Sequence, residues 1–246
     1  MAVPKNGSNS WNLQSLIPEP CTRSFICGWT GAGKSTLLEV LLNGYNAYHP
    51  GHWLFIIDPK GRYLPVEAES DFEQNLFPDG YDSIVHGRRR VVPVIGSVMG
   101  KPRTPKEGEG VLVVRENSDA LRFFDWLLEH SDVNHPSLVC MDESIEVMHG
   151  VQAHKSFRRI TQMGRERGIG CIILNQRPTY IDGTWLSESQ YVYCGTLIKA
   201  NDIRRVIDNV KAPDAEEKLL SIENDHEFVQ FDQKGRLARG PFKLRL

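Results

Sequence analysis

One eight-residue segment constrains the fold of this chain more than any other feature. Residues 28–35 read GWTGAGKS and match the pattern G-x-x-x-x-G-K-[ST] in full. The strand-like run RSFIC precedes the segment, and a leucine-faced helical pattern over residues 35–43, expected to end at Gly44, follows it. This order of strand, glycine-rich loop and helix is the context in which the pattern binds phosphate, and a chance glycine turn accounts for it poorly.

The loop predicts a site for the phosphates of a nucleotide. Lys34 is expected to reach the β- and γ-phosphates, Ser35 to offer its hydroxyl to Mg²⁺, and Thr36 to contact the α-phosphate. Backbone N–H groups at the start of the helix would surround the phosphates, and they belong to Gly28, Trp29, Thr30, Gly31, Ala32 and Gly33. The expected ligands are a nucleoside triphosphate and Mg²⁺.

Apolar runs alternate with helical patterns along most of the chain, which indicates an α/β fold. Further strands are predicted at residues 53–57, 90–95, 111–114, 137–141, 171–174 and 191–197, with Pro93 confining the second of these to an edge. Helices are predicted at residues 119–129, 153–167, 202–210 and 214–220, and a β-hairpin from residue 228 onward. We expect a mostly parallel sheet with helices on both faces.

Two carboxylates end one of the buried strands. Asp142 and Glu143 follow the apolar run of residues 138–141. An aspartate at this place can hold Mg²⁺, and a glutamate one residue later can polarise the water that attacks a phosphate. An exposed acidic strand end without a special role is the alternative, and the presence of Lys34 weakens it.

Polar residues also end a second buried strand, in the stretch GRERGIGCIILNQRP of residues 164–178. The apolar run of residues 171–174 is typical of a strand buried on both faces. Asn175 and Gln176 follow the run, and Pro178 ends the stretch. On its own, Gln176 fits a polar cap on a strand as well as it fits a functional group.

Four motifs in a fixed order resemble the FtsK–HerA superfamily of P-loop ATPases, ring-forming motors that move DNA. They are residues 28–36, the tetrapeptide DPKG at residues 58–61, the acidic pair at residues 142–143, and residues 164–178. The resemblance spans the chain from Phe25 to Val210 and is weak between the motifs. We expect the chain to be close to a bare motor domain, which makes it most similar to the genome-packaging ATPases of icosahedral viruses with an internal membrane.

The resemblance implies a RecA-like (ASCE) fold in which the strand before Gln176 lies between the strand of the glycine-rich loop and the strand of Asp142. Gln176 would then contact the γ-phosphate and the attacking water. It also implies an arginine supplied by a neighbouring subunit. Arg165 is the first candidate and Arg204 the second, although a solvated helix end is the alternative for Arg165.

Composition sets the remaining bounds. The chain has 246 residues, a formal net charge of −2, five cysteines and eight histidines. We expect a flexible leader over residues 1–20 and one motor domain over residues 21–246. Cys27, Cys140, Cys171 and Cys194 fall in apolar runs and fit buried core positions in a reducing compartment. The histidines show no metal-binding spacing, and no apolar run is long enough to span a membrane.

The expected function is ATP-driven translocation of double-stranded DNA, foremost as a viral packaging motor. The resemblance implies a homo-oligomeric ring, expected to be a hexamer, a capsid or membrane docking partner, and a place in the host cytoplasm or at a virion vertex. Basic groups at residues 88–90 and 101–106 are candidates for contacts with DNA phosphates without sequence readout, or are ordinary solvated loops. A conjugation or chromosome-segregation motor and a slow nucleotide-dependent switch remain alternatives.

Other P-loop classes fit less well. The chain lacks the guanine-reading N-K-x-D tetrapeptide of signalling GTPases and the L-S-G-G-Q signature of ABC-type ATPases. A P-loop kinase is not excluded by spacing, but Asp142 and Glu143, followed by a strand that ends in Gln176, argue against it. The residues alone do not choose ATP over GTP.

Overall fold

A mixed sheet of nine strands forms the centre of the described part of the chain. The computed structural model describes residues 13–49, 52–57, 90–92, 111–114, 124, 127–129, 131–134, 136–142, 158–181 and 183–244. The strands are β1 (Arg23–Cys27), β2 (Trp53–Ile57), β3 (Arg90–Val92), β4 (Val111–Val114), β5 (Ser137–Met141), β6 (Ile169–Asn175), β7 (Tyr191–Cys194), β8 (Glu227–Asp232) and β9 (Leu237–Lys243).

The described helices are short apart from the first. They are α1 (Lys34–Tyr48), α2 (Gly183–Glu188), α3 (Ala200–Ile207) and α4 (Ala215–Leu220). Residues 127–129 and 158–163 are also helical, and 3₁₀ turns form at Leu13–Leu16 and Pro178–Tyr180.

The strand order is β3-β4-β2-β5-β6-β1-β7-β8-β9. Strands β4, β2, β5, β6, β1 and β7 run parallel, while β3 at one edge and the β8–β9 hairpin at the other are antiparallel. This confirms the predicted α/β class, the edge strand and the C-terminal hairpin. The central strand β6 lies between β1 and β5, as the resemblance implied.

Apolar clusters cover both faces of the sheet. One contains Leu37, Leu38 and Leu41 of α1 against alternate residues of β1, β5 and β6. The other contains Val206 of α3 and Leu219 of α4 against the remaining residues of the same strands. Every residue of β5 and β6 is buried, since parallel strands covered on both faces have no solvent side.

The four cysteines expected in the core, Cys27, Cys140, Cys171 and Cys194, are buried and free. The Sγ atoms of Cys27 and Cys194 lie 3.3 Å apart on neighbouring strands. Burial raises the pKa of the Cys140 and Cys194 thiols well above the ordinary value, and that of Cys171 to about 12. These thiols stay protonated at neutral pH and behave as small apolar groups.

Helix α1 does not end at Gly44, and that prediction was wrong. The helix continues to Tyr48, and Gly44 is buried within it because the side chain of Ile17 fills the space that a Cβ would need. Ile17 and the neighbouring Leu16 are buried, although they fall in the expected leader of residues 1–20. The hydroxyl of Tyr193 on β7 donates to the carbonyl of Leu16 over 2.6 Å, which ties this segment to the sheet.

Further differences occur where glycines end helices and strands. The helix predicted over residues 153–167 ends at residue 163 among the described residues, because a turn runs from Gly164 to Gly168, where φ is 71°. Strand β7 stops at Cys194 instead of continuing to residue 197. Within the described residues, no helix is long and apolar enough to cross a membrane.

Several sequence predictions fall on residues outside the described ranges. They are Glu143, the DPKG tetrapeptide, the basic groups at residues 88–89 and 101–106, and most of the helix at residues 119–129. The parts of that helix that are described, residue 124 and residues 127–129, are helical.

Candidate functional site

The glycine-rich loop between β1 and α1 adopts a backbone conformation that is unfavourable for residues with a Cβ. The φ angles of Gly31 and Gly33 are 88° and 85°, in the left-handed region that favours glycine. Gly28 has φ 153°, and a Cβ there would lie 3.3 Å from the Cα of Gly195. Trp29 and Thr30 are exposed, whereas Ala32 is buried. The glycine spacing of the motif is therefore a backbone requirement of this turn.

The loop curls around the side chain of Lys34. The Nζ of Lys34 donates to the carbonyls of Gly28 at 2.8 Å and Trp29 at 3.0 Å. Among the described residues, no side chain caps the start of α1. The positive end of the helix dipole and a lysine ammonium thus meet inside one turn, which is an environment suited to an anion.

Gln176 lies beside this loop. Strands β1 and β6 pair in parallel with Cys27 opposite Asn175, so that Gly28 and Gln176 leave the sheet together. The hydroxyl of Thr30 donates to Oε1 of Gln176 over 3.1 Å. The structure therefore brings together the phosphate-binding loop and the strand end that the sequence singled out.

Asp142 ends β5 at the same edge of the sheet. It is 3% exposed, and one strand, β6, separates β5 from β1, which places the two strands about 10 Å apart. Ser35 and Thr36 lie half-buried in the first turn of α1. A buried carboxylate and a hydroxyl are oxygen ligands of the kind that Mg²⁺ takes, so the residues fit the predicted metal.

An ion pair next to Gln176 was missed by the sequence analysis. Nε of Arg177 donates to Oδ2 of Asp202 over 3.0 Å, and the Asp202 side chain is 5% exposed. The hydrogen bond with Asp202 is the main cause that raises the pKa of Arg177 above its ordinary value, with a smaller contribution from Tyr180. The only sequence signal was an acidic residue near the start of a predicted helix.

His226 is a second residue that the sequence analysis missed. It lies just before β8 with φ 63°, and its ring occupies the place where a side chain on Gly33 would be. Its Nδ1 is buried and makes no hydrogen bond with the described residues. No local pattern in the sequence connects this histidine with the loop.

Arg165 lies near the amino-terminal ends of the parallel strands, whereas the loop lies at their carboxyl ends. It is exposed and precedes β6, whose seven residues span about 23 Å before Gln176 is reached. Arg165 lines an open recess with Arg23 and Lys211. Arg204, the second candidate, is exposed on α3. Arg165 therefore lies too far from Lys34 to act on the same phosphates within one chain.

Solved structures of other proteins share this arrangement of strands. The chain is similar to B204, the DNA-packaging ATPase of Sulfolobus turreted icosahedral virus, at 15% identity and a TM-score of 0.61 over 92% of this chain and 99% of that one. It is similar to B204 of Sulfolobus turreted icosahedral virus 2 in complex with AMPPCP, at 12% identity and 0.65 over 92% and 99%.

The chain has the RecA-like fold of the P-loop ATPases. It is also similar to the conjugation coupling protein TcpA of pCW3, at 16% identity and a TM-score of 0.55, over 86% of this chain and 60% of that one. No protein-family model matches the chain, and no curated protein matches it in sequence. The likeness to the FtsK–HerA P-loop ATPases therefore lies in the fold and in the order of the motifs.

Proposed function

We propose that the chain is an ATP-hydrolysing motor that translocates double-stranded DNA, and that it packages a viral genome. The observation that carries the proposal is the position of β6 between β1 and β5, with Gln176 against the phosphate-binding loop. A strand inserted there puts a polar amide where it can respond to the terminal phosphate. The similarity to B204, whose chain is matched over 99% of its length, favours packaging among the motor functions.

Each residue of the site has a role in this proposal. The backbone of residues 28–33 and the Lys34 ammonium bind the triphosphate of ATP, and Thr36 contacts the α-phosphate. Ser35 and Asp142 would hold Mg²⁺, which neutralises phosphate charge when bound. Glu143 accepts a proton from the attacking water, and Gln176 orients that water.

Two further roles involve other molecules. Arg165 would act on the nucleotide of a neighbouring subunit, because it lies too far from the loop of its own chain, and this role needs a ring, expected to be a hexamer. The basic groups at residues 88–90 and 101–106 would contact DNA phosphates in the pore. A capsid or membrane partner would anchor the ring, in the host cytoplasm or at the virion vertex.

The test measures ATP hydrolysis with Mg²⁺ in the presence and absence of duplex DNA at low salt. We expect DNA to stimulate the wild-type protein, and Glu143→Gln to bind a fluorescent ATP analogue normally while hydrolysing almost no ATP. Hydrolysis that DNA leaves unchanged would oppose the motor. Unchanged hydrolysis by Glu143→Gln would oppose the assigned base.

The similarity to TcpA favours a conjugation motor as the second candidate. A chromosome-segregation motor and a slow nucleotide-dependent switch remain behind it. Two measurements separate the switch from the motors: the mass of the protein with a non-hydrolysable ATP analogue, and its rate of ATP hydrolysis. A protein that forms a ring and hydrolyses ATP rapidly only with DNA is a motor. Neighbouring capsid or relaxase genes would distinguish packaging from conjugation.

A further inference from the structure

The carboxylate of Asp202 is buried at the start of α3 and accepts hydrogen bonds from three donors. Arg177 Nε lies 3.0 Å from Oδ2, while the hydroxyl and the backbone N–H of Thr179 lie 2.7 and 3.4 Å from Oδ1. A buried carboxylate is costly unless it is paired and hydrogen-bonded, and this one is both. Asp202 therefore fixes two residues of the turn that follows β6.

The same turn begins with Gln176, and it is held at several further points. The backbone N–H of Arg177 donates to Oδ1 of Asn175 over 3.1 Å. Arg177 Nη1 donates to the hydroxyl of Tyr180 over 2.8 Å, and the guanidinium lies 4.6 Å from the centre of the Tyr180 ring. Gln176 is thus enclosed in a turn whose shape depends on the Arg177 side chain, and Arg177 in turn depends on Asp202.

The segment that leads to Asp202 also contacts the phosphate-binding loop. The backbone N–H of Gly195 donates to the carbonyl of Cys27 over 2.8 Å, and that of Trp29 donates to the carbonyl of Thr196 over 2.7 Å. The loop therefore contacts residues 195–196, and the Gln176 turn contacts residue 202, at the two ends of one short segment. Residues 198–201 between these contacts are exposed.

We propose that Asp202 is a positioning residue for ATP hydrolysis, which sets the place of Gln176 relative to the phosphate-binding loop through residues 195–202. Asp202 touches no reacting atom in this role. A nucleotide that shifts the loop or the Gln176 turn also shifts this segment, and the exposed residues 198–201 change their surroundings with it. The inference rests on the proposed ATPase function.

The test compares Asp202→Asn and Arg177→Gln with Asp232→Asn. Asp232→Asn is the control, because it removes the charge from a similar ion pair, Asp232 with Arg239 at 3.4 Å. Asp232 lies opposite Tyr191 at the start of β7, and therefore at the other end of the strands from the loop. We expect the first two variants to lower kcat about 10-fold while the Kd for ATP stays within about 2-fold of wild type. Asp232→Asn should leave both values unchanged.

A pair of variants at Thr179 provides the conservative rescue. Thr179→Ser keeps the hydroxyl that donates to Asp202 and should retain wild-type kcat, whereas Thr179→Val should lose about 3-fold. A purely structural role would lower thermal stability and ATP binding together, and would not separate kcat from Kd. That result, or a wild-type kcat in Asp202→Asn, would overturn the proposal.

Hydrogen exchange with a non-hydrolysable ATP analogue separates this inference from the proposed function. We expect the analogue to change the exchange of residues 195–202 in the wild type and much less in Asp202→Asn. If the wild type binds ATP without hydrolysing it, the ATPase proposal fails, but this difference in exchange still supports the coupling. If the analogue binds and exchange in residues 195–202 is unaffected, the coupling is wrong.

Discussion

Thr30 and Gln176 are 146 positions apart in the sequence, and the hydroxyl of one donates to Oε1 of the other over 3.1 Å. The contact joins the phosphate-binding loop to the end of β6 within one chain. A group bound in the loop that displaced Thr30 would therefore also act on the amide of Gln176. This relationship leads to the first prediction.

Gln176→Ala should lower kcat for ATP hydrolysis by about 100-fold, because it removes an amide placed to orient water and contact the terminal phosphate. The Kd for ATP should change little, since Lys34 and the loop backbone remain. Steady-state hydrolysis and titration with a fluorescent ATP analogue measure the two values. Gln162→Ala, at an exposed helical position, is the matched control and should behave as wild type. Equal rates for the two variants would remove Gln176 from the mechanism.

Gly33→Ala should destabilise the protein more than Gly31→Ala. Both glycines have left-handed φ angles, which cost alanine about 1 kcal/mol or more, but a Cβ at Gly31 meets nothing within 4 Å whereas one at Gly33 overlaps the His226 ring. Urea denaturation gives the two free energies of unfolding. Adding His226→Gly should recover part of the difference for Gly33→Ala and leave Gly31→Ala unaffected. Equal costs at the two glycines would contradict the overlap.

Gly44→Ala should destabilise the protein, although alanine normally stabilises a helix by about 1 kcal/mol relative to glycine. The new Cβ would overlap the Ile17 side chain, which is buried against α1. The same substitution made in an Ile17→Ala background should be neutral or stabilising, because the space is then available. Thermal denaturation of the four proteins in this cycle tests the sign. Stabilisation by Gly44→Ala alone would show that Ile17 moves aside easily.

Acidification should destabilise the C-terminal end of α1. Burial lowers the pKa of His49, and burial together with the neighbouring His49 lowers that of His52, whose Nδ1 shares a hydrogen bond of 3.0 Å with the Tyr45 hydroxyl. The unfolded chain then binds more protons than the folded chain between these lowered pKa values and about pH 6.5. Stability therefore rises with pH in that window and is lost as the pH falls below about 6.5.

The measurement compares the midpoint of thermal unfolding at pH 7.5 and pH 5.5. The wild type should lose more on acidification than the double variant His49→Gln, His52→Gln, whose side chains do not titrate. The two proteins should respond alike between pH 7.5 and pH 8.5, where histidine is neutral in both states. A parallel loss in both proteins below pH 6.5 would assign the effect to other groups.

The parts of the fold that the sequence predicted are those with a local signature. The loop with Lys34 carries its own glycine spacing, and β5 and β6 are apolar throughout because both of their faces are covered. The position of β6 between β1 and β5 came from the resemblance, since no periodicity in one segment specifies its neighbours in a sheet. The predicted end of α1 at Gly44 was wrong, because the side chain of the distant Ile17 packs there and outweighs the usual preference of glycine for helix ends.

The missed site residues share a different property. Asp202 contacts a residue 25 positions away, and His226 packs on a loop near the other end of the chain. Their neighbours in the sequence give no indication of these contacts, which exist only once β7 has paired with β1 and β8 with β7. The left-handed φ angle of Gly33 is enough to explain a glycine at this position. The contact with the His226 ring is a second reason, and the motif gives no sign of it.

The strand at the far edge of the sheet, β9, limits how copies of this chain can associate. Pro241 lies within it and has no N–H to donate, and the exposed Lys243 lies on the same strand. The ladder of hydrogen bonds that another strand could form along this edge is interrupted at Pro241. Copies of this chain are therefore not expected to pair edge to edge through β9.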